Sequence, residues 1–91
     1  MIDLAAAVLT SHAREQLARR NIDEADVRAV LAAPDYVETV RPGRVVAQKR
    51  LSLGAPPRDY LLRVFVDIDR DPAAIVTAYR TSRLARYWSQ P

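Results

Sequence analysis

One histidine, one lysine, thirteen arginines and no cysteine leave this chain few ways to do chemistry. His12, in "TSHAREQLARR", is the one side chain whose ordinary pKa lies near neutrality, so any proton transfer at neutral pH points to it. On an ideal helix, Leu9, Ala13 and Leu17 form the buried stripe, while His12 and Arg19 fall together at its edge with Gln16 between them. In that position His12 also has a plain packing role open to it. Arg63 interrupts the apolar run "LLRVFV", a costly placement unless the guanidinium reaches a carboxylate, water or a phosphate. Asp67 and Glu38 are the acidic partners in view. "AIVTAYRT" reads as a strand, and alternation sets Val76 and Ala78 on a face under helices, with Thr77 and Tyr79 on the other. In "RVVAQKRL" the same rule puts Lys49 with Val45, Ala47 and Leu51, and Arg50 with Arg44, Val46 and Gln48. Function would require the histidine, the scattered cations and the Thr-x-Tyr pair to meet over one sheet face.

Several chemistries drop out. One histidine without cysteine gives nothing like a zinc cluster. "DIDRDP" sets Asp67, Asp69 and Asp71 at alternate positions, as at the start of a calcium loop. Pro72 stands where that loop needs glycine, however, and Ala78 where it needs the bidentate glutamate, so a solvated turn is expected. Gly43 and Gly54 are the two glycines, too few for a phosphate-cradling loop. The expectation is no metal and no cofactor.

The chain of 91 residues is 49% hydrophobic and 27% charged, the profile of one folded domain spanning 1–91. Its net charge of +3 and pI near 9.8 come almost wholly from arginine, which grips phosphate bidentately and stacks on bases. A polyanionic partner follows as a candidate. "MIDLAAAVLT" is too short to span a membrane and carries an acid where a signal peptide wants a base. Together with the absence of cysteine, this makes the cytoplasm the expected compartment, with no membrane partner.

The elements that must position these residues are legible in outline. Thr10 or Ser11 caps a helix running to about Arg20, with Asn21 as its stop. Asp23 caps a second helix in "IDEADVRAVLAAP", Ile22 staples Val27 across that cap, and Pro34 ends it. The period then becomes alternating through "YVETV", "RVVAQKRL", "DYLLRVFVDI" and "AIVTAYRT", separated by turns at Gly43, Gly54 and "DRDP". The predicted fold is α+β: two N-terminal helices packed on a four-stranded antiparallel sheet, with a short C-terminal helix as an option. In "RLARYWSQP", Leu84 and Trp88 lie a turn apart and suit a lid on the core, while Tyr87 and Trp88 would also suit a protein dock.

"SHAREQLARRNIDEADVRAVLAAPDYVE", "RVVAQKR", "LLRVFVDI" and "IVTAYRT" together resemble a family of small uncharacterised bacterial proteins with a helix histidine and a terminal Thr-x-Tyr strand. That family in turn resembles the metal-independent ribonuclease folds of barnase, the EndoU-type enzymes, the tRNA-cutting colicins and the RelE-type toxins. The resemblance implies a RelE- or barnase-like domain that binds RNA on its sheet and cuts it, as the toxin of a toxin–antitoxin pair or a related ribonuclease. By resemblance, His12 matches the helix histidine, Lys49 or Arg50 the basic position, and Thr77 and Tyr79 the last-strand pair. Arg63 joins them on its own chemistry, which makes His12, Lys49, Arg63, Thr77 and Tyr79 the catalytic candidates. Arg14, Arg19, Arg50 and Arg80 are the RNA-binding candidates, and the implied partners are RNA and a cognate antitoxin. ParE-type relatives poison gyrase without cutting RNA, so a non-catalytic toxin or a small RNA-binding domain is the alternative.

Overall fold

A computed structural model describes residues 3–84 of the chain. A 3₁₀ turn at Leu4–Ala6 leads into a two-residue strand β1 (Val8–Leu9), then helices α1 (Ser11–Arg19) and α2 (Glu24–Ala32). Strands β2 (Tyr36–Arg41), β3 (Arg44–Leu53), β4 (Arg58–Asp67) and β5 (Ala74–Thr81) follow. The sheet order is β1-β5-β4-β3-β2. It has five strands and is mixed, because β1 runs parallel to β5 while β2 to β5 form an antiparallel meander. The four-stranded antiparallel expectation is corrected on this point. Two residues are too few for alternation to be visible, which is why β1 reads in sequence as the approach to a helix. Leu9 accordingly lies in β1 and packs against the core from there, not from the α1 stripe.

The helices form where their caps allow. The Thr10 side chain accepts a hydrogen bond from Ala13 N, and α1 ends at Arg19 with Arg20 as its C-cap. Asn21 follows, and its φ of 55° is the left-handed conformation that asparagine tolerates better than most residues. Asp23 begins α2 in extended geometry with no side-chain cap bond, so Asp23, Glu24 and Asp26 act there through charge on the helix dipole. Ile22 and Val27 are both buried across that cap, as a hydrophobic staple requires.

Both helices lie on one face of the sheet. Ala13 and Leu17 from α1 and Val27, Val30 and Leu31 from α2 cluster with Val45, Ala47, Leu62, Val64, Val66, Ile75 and Ala78. α1 lies over β5, and α2 over β3 and β4. The alternation predicted for β5 holds at Ala78 but not at Val76. The register steps from Phe65↔Thr77 to Val66↔Ile75, leaving Val76 as the extra residue of a β-bulge, so Ile75 enters the core in its place. Gly43 turns β2 into β3 at a φ of 85°, and a Cβ there would fall 2.6 Å from Asp69 Oδ2. Glycine alone suits both demands. Among the described residues no helix is long and apolar enough to cross a membrane. The expected C-terminal helix, with Tyr87 and Trp88, lies outside the described residues.

The outer edge of β5 is closed by other elements. Val8 N donates to Ala73 O, and Thr10 donates to Ile75 O through both its backbone N (3.3 Å) and its hydroxyl (3.0 Å). Thr10 thus caps α1 and ties it to the sheet in one side chain. Thr10→Ala should cost about 1–2 kcal/mol in denaturant unfolding, with Thr10→Ser recovering most of it. Wild-type stability in the alanine variant would show that the joint carries no weight.

Candidate functional site

Directly opposed residues of antiparallel strands share a face, so the register assembles rows across the side of the sheet away from the helices. One row is Tyr36–Gln48–Arg63–Tyr79, from β2 to β5, and the next is Glu38–Val46–Phe65–Thr77. Arg63 therefore lies between Gln48 and Tyr79. Its Nε donates to Gln48 Oε1 at 3.1 Å, and its Nη1 donates to the Tyr79 hydroxyl at 2.6 Å. The guanidinium also sits 5.5 Å from the Phe65 ring centroid and 5.7 Å from that of Tyr79, and those rings stack at 6.0 Å. Among the described residues, these contacts meet the cost of a charge in an apolar strand with neutral acceptors and π faces, not with Asp67 or Glu38. Gln48 is 1% exposed, so the amide that receives Arg63 is fully desolvated.

Asp67 is taken by Arg44 instead. Arg44 donates through Nε to Oδ1 at 2.6 Å and through Nη2 to Oδ2 at 3.1 Å, a bidentate pair at the neighbouring row. The Arg44 hydrogen bonds hold the Asp67 carboxyl below the usual range despite its burial, with the charges of Arg44, Arg41 and Arg70 adding to the effect. Arg44 is correspondingly raised.

The other half of the expected site lies along α1. His12 is exposed in the first turn, and Gln16 and Arg20 follow at four-residue steps on the same flank. The opposite flank carries Arg14, 3.6 Å from Glu24 of α2, so the His12 flank faces away from α2. β1 pairs with Ala74 and Ile75, leaving the later part of β5 for Arg20 to reach around. Arg20 Nη1 donates to Ala78 O at 2.7 Å and to Thr77 Oγ1 at 3.1 Å. Thr10 pins the start of α1 at Ile75 and Arg20 pins its end at Ala78, so the His12 and Gln16 flank runs beside the Val76 bulge. Arg19 is exposed next to it.

The expected quintet is thus partly assembled. Arg63 and Tyr79 are bonded and Thr77 lies on their face, but His12 does not. α1 packs on the opposite face of the sheet, so the expected meeting over one sheet face is corrected. His12 is linked to the pair through Arg20, which reaches around the β5 edge to Thr77. Lys49 is not with them. It lies on the helix side of β3, two strands from β5, where its Nζ donates to Ala33 O at 2.9 Å and lies 3.7 Å from Asp35 Oδ1. Arg80 is on that same side, since Lys49 and Arg80 flank Leu62 across the register. Arg50 lies on the far side opposite Leu61, with its backbone N bonded to Asp35 Oδ2. The basic residues therefore divide between the two faces.

Arg20 was missed in sequence because it stands just past the helix, beside the stop at Asn21. Its signal was the spacing of eight from His12, two turns along the same flank. Gln48 gave a weaker signal, as an amide amid a basic strand.

Two outcomes test this electrostatic frame. Arg63→Met removes donors to a buried amide and a phenol and should lower stability by roughly 1–3 kcal/mol in urea unfolding. Loss within error of zero would mean that the row is only steric. Asp67 has a folded-state pKa below its unfolded value near about 3.9, so its contribution is complete above that pH and disappears as pH falls through the lower folded value. Asp67→Asn should flatten the acid limb of a stability-versus-pH curve, and an unchanged limb would remove the pair from the account.

No curated protein and no solved structure matches the chain. Residues 9–80, which take in β1 in part and everything from α1 to the Arg20-bound edge of β5, match a family described as "Domain of unknown function (DUF4258)", and the chain belongs to that family.

Proposed function

We propose that the protein is a metal-independent endoribonuclease of the barnase and RelE type, acting at the edge where the α1 flank lies along β5. The observation that supports this reading most is the grip of Arg20 on Thr77 Oγ1 and Ala78 O, which holds the helix bearing His12 against the strand bearing Thr77 and Tyr79. In this reading a histidine, a guanidinium and a hydroxyl share one edge. These groups suit RNA scission by the ribose 2′-hydroxyl.

In that reaction His12 takes the 2′ proton, O2′ attacks phosphorus, and the bond from phosphorus to the 5′ oxygen breaks as that oxygen takes a proton from solvent. The products are a 2′,3′-cyclic phosphate and a 5′-hydroxyl. Arg20 and Arg19 offset the charge that builds on the non-bridging oxygens, and Thr77 orients the phosphate by hydrogen bonding. Arg63, held by Gln48 and Tyr79, keeps the Tyr79 ring fixed beside this edge. Lys49 is left out of the reacting set, since Ala33 O and Asp35 hold it on the other side.

A second reading has its own support in that division of the cations. A domain whose Lys49 and Arg63 are both committed to internal partners suits an RNA- or protein-binding module, with the antitoxin-paired toxin role open to either reading.

The test is RNA cleavage by the purified chain. Cleavage is expected to persist in EDTA, to spare DNA and to leave 2′,3′-cyclic ends, and His12→Ala should slow it by roughly 10²-fold with the fold intact. Loss of cleavage in EDTA, or full activity in the alanine variant, would overturn the mechanism. Growth arrest on expression with RNA left intact would favour the binding module acting on a protein.

A further inference from the structure

The two edges of the sheet are treated differently. At β5, the outward carbonyls of Ala73, Ile75 and Ala78 are occupied by Val8, Thr10 and Arg20. At the other edge, all six residues of β2 are exposed, and Tyr36, Val37 and Val40 are 47%, 43% and 49% exposed. A strand edge carrying exposed apolar side chains offers its unpaired N–H and C=O groups to another strand.

The charge pattern of β2 indicates which strand fits. Glu38 lies opposite Val46 and Arg41 opposite Arg44, so both point away from the helices, while Thr39 lies opposite Val45 on the helix side. The register shift between Thr39 and Arg41 makes Val40 an extra residue, which leaves Glu38 and Arg41 equally spaced about Thr39. Two antiparallel copies related by a two-fold axis must place one residue opposite itself. With Thr39 on the axis, Glu38 of each copy faces Arg41 of the other, on the same side of the joined sheet. The result is a Thr–Thr pair flanked by two opposite-charge pairs, each favourable across strands. Centring on Glu38 would instead oppose two carboxylates.

We infer that β2 is a self-pairing edge, centred on Thr39, through which two copies of this chain join their sheets antiparallel. The interface is small, so association is weak and depends on concentration. Glu38 and Arg41 set the register, and Tyr36, Val37 and Val40 supply apolar area.

Sedimentation of the full chain, from low micromolar to about 1 mM, should show a monomer–dimer equilibrium. Arg41→Glu places Glu opposite Glu and Glu38→Arg places Arg opposite Arg, so each single variant should be monomeric with unchanged circular dichroism. Mixing the two variants should restore association as a heterodimer, and the double exchange should restore the homodimer. A wild-type monomer throughout, or a dimer indifferent to both charge reversals, would overturn the inference. Pairing of β2 with a strand of another protein, while the chain alone stays monomeric, would overturn it equally.

Discussion

The outer edge of β5 is the constraint on which the rest of the molecule depends. A sheet edge left bare exposes backbone donors and acceptors, and this chain covers one with β1, Thr10 and Arg20. Because Thr10 and Arg20 stand at opposite ends of α1, closing the edge also fixes where that helix lies. The packing of Ala13 and Leu17 on Ile75 and Ala78 follows from that placement, as does the position of the His12 flank. Core and candidate site share the same two ties.

Much of this was written in residue order. The two helices, their caps at Thr10 and Asp23, and the four long strands follow from period and punctuation, because each element is long enough to repeat its pattern. Strand β1 was not legible, since two residues have no period and its pairing depends on β5, more than sixty residues later. The Val76 bulge was hidden for a different reason. Ile75, Val76, Thr77 and Tyr79 are all good strand formers, so propensity cannot say which of them is the extra residue. Packing decides it, by admitting Ile75 to the core and not Val76.

The candidate site was legible by residue type and not by grouping. Sequence singles out His12, Arg63 and the Thr77 and Tyr79 pair, but only register brings Arg63 opposite both Gln48 and Tyr79. Alternation already put Lys49 among Val45, Ala47 and Leu51, on the face away from Arg63, and the fold keeps it there. Arg20 depended on a contact that no local pattern encodes, since its partners are 57 and 58 residues away.

The partly buried row of Gln48, Arg63 and Tyr79 also bears on how the meander finds its alignment. Apolar residues on β3 and β4 are interchangeable enough that slipped pairings would bury similar area. A one-residue slip of β4 would turn Arg63 toward Val30, Leu31 and Ala47 with no acceptor in reach, at the cost of an unpaired guanidinium in an apolar layer. A two-residue slip would keep its face but set it against Val46 or Arg50 in place of Gln48. The guanidinium thus acts as a key that fits one tooth of the neighbouring strand, and both slipped alignments lose that fit.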